Sequence, residues 1–219
     1  MAPNKLRPGV ESAVELWKSS DTAKWEELYC SYEDSREITQ RLLKNSQVKL
    51  SKHSFIEDDK WKEENLPKHI SSKKSITLSQ LERLMVWKMR RGQFRPTLMG
   101  LIRRNNPSCV EKTTCQAIAL VEKSVENIPE AFKVIEGLYG VGPATASLIL
   151  SVVLPDHVPF MSDEAMDASI GLPRSYTSSR YAQYQKALSA KAEELGVKWN
   201  VQLVEKVLYT AAILRRNEV

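Results

Sequence analysis

The sequence predicts an all-α protein. Nearly every periodic segment repeats its apolar residues near 3.6, helix-start signatures recur along the chain, and no segment alternates convincingly between apolar and polar residues. Near the N-terminus, Val10, Ala13, Val14 and Trp17 fall on one helical stripe, and Trp25, Leu28 and Tyr29 fall on the next. A third helix is expected over 33–50, carrying Ile38, Leu42 and Leu43. Residues 1–50 together read as a helical N-terminal extension. Residues 51–76 are rich in Lys, Ser and Glu, contain Pro67 and keep no period, so they read as a linker or mobile loop.

A main helical domain is expected over 77–219. Thr77 and Gln80 have capping-box spacing, opening a helix with Leu78, Leu81, Leu84 and Met85 on one face. Gly92 interrupts it, and a shorter helix follows Pro96 with Leu98, Leu101 and Ile102. Ser108 and Glu111 read as a second capping box after Pro107, starting a helix that buries Val110, Ala117, Ile118, Val121 and Val125. Pro129 suits the first turn of the next helix, whose Phe132, Ile135 and Leu138 lead into two glycines. The run ATASLILSVVL after Pro143 has no polar face, so this helix is expected to be enclosed on all sides. Pro155 and Pro159 bracket an irregular turn, and Ser162 or Asp163 can cap the helix after it. Two long amphipathic helices close the chain, one through Tyr181, Tyr184, Leu188, Ala192 and Leu195, the other through Val201, Val204, Val207, Leu208 and Ala211.

With 219 residues, 42% hydrophobic and 27% charged, the chain has the length and balance of a water-soluble globular protein with one large domain, or one domain plus an appendage. No run approaches the roughly 20 apolar residues of a membrane span, and MAPNKLRPGVES has no apolar core of a secretory signal. The three cysteines, Cys30, Cys109 and Cys115, lack CxxC spacing. They argue against a disulfide framework, a zinc site or an iron–sulfur cluster, and they fit reduced thiols in an intracellular protein. His53, His69 and His157 have no partner at metal-ligand spacing. No metal site is expected.

The net charge of +5 is mild, but its distribution is uneven. Over 82–104, Arg83, Lys88, Arg90, Arg91, Arg95, Arg103 and Arg104 face a single acid, Glu82. Lys88, Arg90, Arg91 and Arg95 are candidate phosphate contacts, and a solvated basic face is the plainer alternative.

Leu138-Tyr139-Gly140-Val141-Gly142-Pro143-Ala144-Thr145-Ala146 carries the sharpest signal. Gly140 and Gly142 can take positive φ or admit a close backbone, and Pro143 suits a first helical position. Behind it, the amides of Ala144 and Thr145 are expected to point outward at the positive end of the helix dipole. Such a turn is a phosphate seat that reads no sequence, or else a plain helix–turn–helix connector. Asp163 stands further on in Pro-Phe-Met-Ser-Asp-Glu, as a catalytic carboxylate or an ordinary N-cap. Phe160, Tyr139 and Trp199 are aromatic candidates for stacking on a base, with core packing as the alternative for each.

Taken together, Leu138, Gly140-Val141-Gly142, Thr145-Ala146, the apolar helix through Leu150, Pro159 and Asp163 resemble the helix-hairpin-helix followed by Gly/Pro and Asp of the endonuclease-III-like DNA glycosylase superfamily. That resemblance covers residues 135–170. It implies an all-helical, two-lobed fold and a double-stranded DNA partner. It also implies a hairpin (Gly140, Gly142, Ala144, Thr145) that holds a DNA phosphate with its amides and a bound monovalent cation. A damaged nucleotide would be flipped out of the duplex, and Asp163 would support cleavage of its N-glycosidic bond. Members that also cut the strand carry a lysine where this chain has Ala144, so the resemblance implies monofunctional hydrolysis without a Schiff base. Tyr139 stands where the family often has proline, and the cluster cysteines of some members are absent. The resemblance fits a monomer, in the nucleus if the source is eukaryotic. The alternative is a non-catalytic helical module that keeps the glycosylase fold and binds DNA or another protein.

Overall fold

The computed structural model describes residues 6–44 and 52–218, and every regular element among them is helical. In chain order the α-helices are α1 (Val10–Trp17), α2 (Thr22–Cys30), α3 (Tyr32–Lys44), α4 (Phe55–Lys60), α5 (Leu66–Lys73), α6 (Leu78–Arg91) and α7 (Pro96–Ile102). They continue as α8 (Pro107–Lys123), α9 (Ile128–Glu136), α10 (Pro143–Val153), α11 (Asp163–Ser169), α12 (Ser178–Leu195) and α13 (Val201–Glu218). The all-α expectation holds. The helices divide between two compact units: Val48–Leu154 is contiguous, while the other joins the N-terminal helices to the chain from Pro155 onward.

In the discontinuous unit α13 is the hub, packing against α1, α3, α12, α2 and α11. Its Val204, Val207, Leu208, Tyr209 and Ala212 are all fully buried, so it presents apolar surface in several directions. α1 covers one of these with Val10, Ala13 and Leu16. Contact is close because Gly9, at φ +81°, has no Cβ; one would lie 2.2 Å from the Ala212 carbonyl oxygen. α3 covers another, where the buried hydroxyls of Thr39 and Tyr209 are hydrogen-bonded at 2.7 Å. The N-terminal helices are therefore integral to this unit, which corrects their reading as an appended extension. The part of the third expected helix beyond residue 44 lies outside the described residues.

Also in this unit, the irregular stretch before α11 is tied to its neighbours. The Tyr181 and Tyr184 hydroxyls donate to the Pro159 and Phe160 carbonyls at 3.3 and 2.8 Å. The Phe160 N–H donates to Gln202 Oε1 at 3.0 Å. These bonds set where α11 begins.

In the contiguous unit, the segment read as a linker is structured. α4 runs through a π-helical turn, Trp61–Asn65, directly into α5. Pro67 explains the turn: it has no N–H for the carbonyl four residues back, and its ring crowds that carbonyl, so widening the helix relieves both. Phe55, Leu66, Ile70 and Ile76 are buried. The absence of a clear period had hidden a helix anchored by polar groups. Asp58 and Asp59 are fully buried, and Trp87 Nε1–H donates to Asp59 at 2.7 Å while the Trp87 ring stacks on Phe55.

α6 opens on the expected capping box: Gln80 N–H donates to Thr77 Oγ1 at 3.2 Å, and Thr77 N–H donates to Gln80 Oε1 at 2.8 Å. The second expected box does not form. α8 starts earlier, at Pro107, with Asn106 rather than Ser108 as N-cap and accepting the Ser108 N–H at 2.9 Å, because Pro107 lacks an N–H and fits the first helical position. α10 is buried continuously from Ala144 to Ser151, as its sequence requires. The Ser147 and Ser151 hydroxyls donate back to the Ala144 and Leu148 carbonyls at 3.1 and 2.9 Å, so no bare hydroxyl is enclosed.

Candidate functional site

Within the contiguous unit, the turn between α9 and α10 is rigid. Gly140 sits at φ +77°, and a Cβ there would press on Leu101 Cβ at 3.0 Å and the Ile102 nitrogen at 3.2 Å. Only glycine takes this conformation against that neighbour without strain. Asn105, which is itself buried, grips the turn at two points: its side-chain oxygen accepts the Tyr139 N–H at 2.8 Å, and its Nδ2–H donates to the Tyr139 carbonyl at 2.9 Å. No local pattern reveals this residue, which is 34 positions away in sequence.

Gly142 differs. Its φ of −124° suits any residue, yet a Cβ there would meet nothing within 4 Å. Open space therefore lies before the start of α10. Among the described residues, no acceptor takes the N–H of Gly140, Gly142 or Ala144. Thr145 departs from expectation, since its N–H turns back to the Gly142 carbonyl at 2.8 Å. Its side chain matters instead, because Lys88 Nζ donates to Thr145 Oγ1 at 2.8 Å. An ammonium thus stands at the first turn of α10, beside the positive end of the helix dipole, bonded to a side-chain hydroxyl.

The four basic candidates separate. Lys88 reaches the hairpin helix, and Arg95 is exposed at the head of α7. Arg90 and Arg91 face inward, against the expectation of a phosphate-contacting basic face. Arg90 Nη1–H donates to Asp58 at 2.8 Å and to the His53 carbonyl at 2.8 Å, while Arg91 is buried with its guanidinium over the Trp87 ring. Arg83 also pairs with Asp58, at 2.7 Å. Asp58 lies far enough upstream that the run alone looks unopposed. Of the aromatic candidates, Phe160 is buried and Trp199 packs edge-on against Trp25 at 5.7 Å, whereas Tyr139 is 56% exposed with Arg104 over its ring at 5.0 Å.

In the discontinuous unit, Asp163 opens α11 beside two further buried acids, Glu164 and Asp167. Three arginines meet them. Arg174 takes Asp167 in a two-pronged bond, Nε to Oδ1 at 2.7 Å and Nη2 to Oδ2 at 2.5 Å. Glu164 accepts from Arg7 and from Arg216, each at 3.3 Å. Asp163 pairs with Arg7 through one oxygen and accepts the Tyr176 hydroxyl through the other. Burial pushes the Asp167 carboxyl up; the bonds from Arg174 oppose that shift, and the charges of Asp163 and Glu164 add to it. Asp163 does not cap α11. Ser162 holds the N-cap position, but its hydroxyl makes no cap bond and is buried without a partner among the described residues. Arg7 and Tyr176 carry no sequence signal, because both meet Asp163 only through the fold.

The three cysteines are free and exposed. Among the described residues, no group of His, Cys, Asp or Glu could hold a metal ion, and no helix is long and apolar enough to cross a membrane. Comparison with family models, curated proteins and solved structures finds no match to this chain.

Proposed function

We propose that the protein binds double-stranded DNA through the turn at Gly140–Gly142 and acts as a monofunctional DNA N-glycosylase with Asp163 as its acid. The observation that carries the reading is the α9–α10 turn. It combines a left-handed Gly140, the preceding Tyr139 backbone held by Asn105, open space at Gly142, backbone amides without acceptors, and Lys88 at the helix start. This is a seat for a phosphodiester, gripped without reading base sequence. In the reaction, water adds to C1′ of the flipped nucleotide, the N-glycosidic bond breaks, and the base leaves with the bonding electron pair and takes up the proton that the water gives up. The Asp163 carboxylate stabilises the cationic sugar and orients the water. Ala144 supplies no amine, so the product is an abasic site on an uncut strand.

A second reading has its own support. Both Asp163 oxygens are already engaged, by Arg7 and Tyr176, within a charge-balanced cluster. That arrangement suits a protein that binds DNA and leaves it intact.

One experiment separates these readings. Wild type, Gly142→Glu and Asp163→Asn are compared for duplex affinity and for base release across duplexes carrying different modified bases. Gly142→Glu tests the clamp because the position has room for a side chain and no special φ, so the variant folds while setting a carboxylate in the seat. We expect Gly142→Glu to lose duplex binding with an unchanged melting temperature, and Asp163→Asn to bind but release no base. Undiminished binding by Gly142→Glu rejects the clamp. Release by Asp163→Asn at the wild-type rate rejects the catalytic assignment, and no release by any protein favours the second reading.

A further inference from the structure

We infer that Tyr139 and Arg104 form a stacking contact for the DNA strand seated at the hairpin, with the phenol ring against a base or sugar and the guanidinium on the neighbouring phosphate. This inference rests on the DNA-binding reading and extends it from the backbone seat to a contact beside it.

A single exposed aromatic is ordinary. Tyr139 is set apart by how firmly it is held in the open. Its N–H and carbonyl are both bonded to Asn105, whose Nδ2 also donates to the Ile102 carbonyl at 2.9 Å, and the next residue is locked at φ +77° against α7. The backbone that bears the ring is thus anchored to α7, which fixes the direction in which the side chain leaves the chain. More than half of the residue remains in solvent. With the backbone fixed, only the side-chain torsions remain to be ordered when a ligand stacks on the ring.

Arg104 supplies the charge. It lies just past α7, is exposed, and its guanidinium is 5.0 Å from the Tyr139 ring centroid. Several other arginines meet acids: Arg83 and Arg90 at Asp58, Arg103 at Glu82, Arg174 at Asp167, and Arg7 and Arg216 at Glu164. Arg104 meets no carboxylate among the described residues; the ring is its contact. A guanidinium over an aromatic face keeps N–H groups free to bind phosphate oxygens. The ring is attached one residue before Gly140, so an aromatic face, a planar cation and acceptor-free amides occupy one edge of the unit. This combination fits a nucleic-acid strand, whose bases and sugars alternate with phosphates.

The test measures duplex affinity as a function of salt for wild type, Tyr139→Ala, Tyr139→Phe, Arg104→Ala and Arg104→Lys, with melting temperatures as folding controls. Tyr139→Ala should weaken binding roughly tenfold while leaving the salt slope unchanged, because stacking releases no counterion. Tyr139→Phe should keep wild-type affinity. Arg104→Ala should weaken binding and flatten the slope of log K against log salt by about 0.9, the loss of one phosphate contact, and Arg104→Lys should restore the slope. If the wild type binds and Gly142→Glu does not, but both alanine variants bind like wild type, the stacking contact is overturned and the hairpin reading stands. A wild type without salt-sensitive DNA affinity overturns both.

Discussion

Glu136, the last residue of α9, carries a carboxylate whose Oε1 is buried without a hydrogen-bond partner among the described residues. Burial pushes its pKa above the ordinary 4.5. Its place at a helix C-terminus, where the dipole disfavours an acid, is no help. Linkage gives the sign. A carboxyl that binds its proton more tightly when folded stabilises the fold below pH 4.5, and that contribution is lost as pH rises through the raised value. Glu136→Gln should therefore melt higher than wild type at pH 7, with the gap closing by pH 4. Equal melting temperatures at pH 7 would show that the carboxylate is adequately solvated. At this scale the sequence exposed the glycines and the proline of the hairpin, whose roles are local. It concealed Asn105, Tyr176 and the ring that Arg104 meets, because a polar residue does not announce which distant atom it will meet.

Among the elements, α11 depends most on its surroundings. It is a seven-residue helix with three buried acids, and burying a carboxylate is tolerable only beside a cation. Arg174 is 3% exposed and holds Asp167 through two short bonds. Arg174→Met should cost about 3–5 kcal/mol by leaving that acid buried and unpaired, and adding Asp167→Leu should recover much of the loss. Chemical denaturation of the single and double variants measures both. A cost below about 1 kcal/mol would mean that water reaches the site. α6 and α8 illustrate how far element boundaries can be read. The Thr77 box formed because its bonds span three residues; the Ser108 box yielded to Asn106, since the missing N–H of Pro107 outweighed the spacing pattern. The linker reading of 51–76 failed for a related reason. That stretch is held by Asp58 and Asp59 against α6, and a periodicity of apolar residues does not register carboxylates as anchors.

At the scale of the whole molecule, the helices at the start of the chain and those at its end share one compact unit, while Val48–Leu154 is continuous in sequence. Deleting residues 1–31 would strip α1 and α2 from α13 and leave Glu164 without Arg7. In amide hydrogen exchange, we expect α11 and α13 to lose protection in that truncated chain while α6, α8 and α10 keep theirs. Full protection of α13 would return the N-terminal helices to the status of an appendage.

By itself, the sequence determined the helical class, the continuous enclosure of α10 and the glycine turn before it. Each arises from periodicity or backbone preference acting over a few residues. Only the tertiary structure decided which arginines of the basic run face water, that Tyr139 stays exposed under Arg104, and that Asp163 sits between Arg7 and Tyr176. Those outcomes depend on partners brought together from distant parts of the chain, as Arg7 is to Asp163, and the desolvation and pairing of a charge are properties of its three-dimensional neighbours.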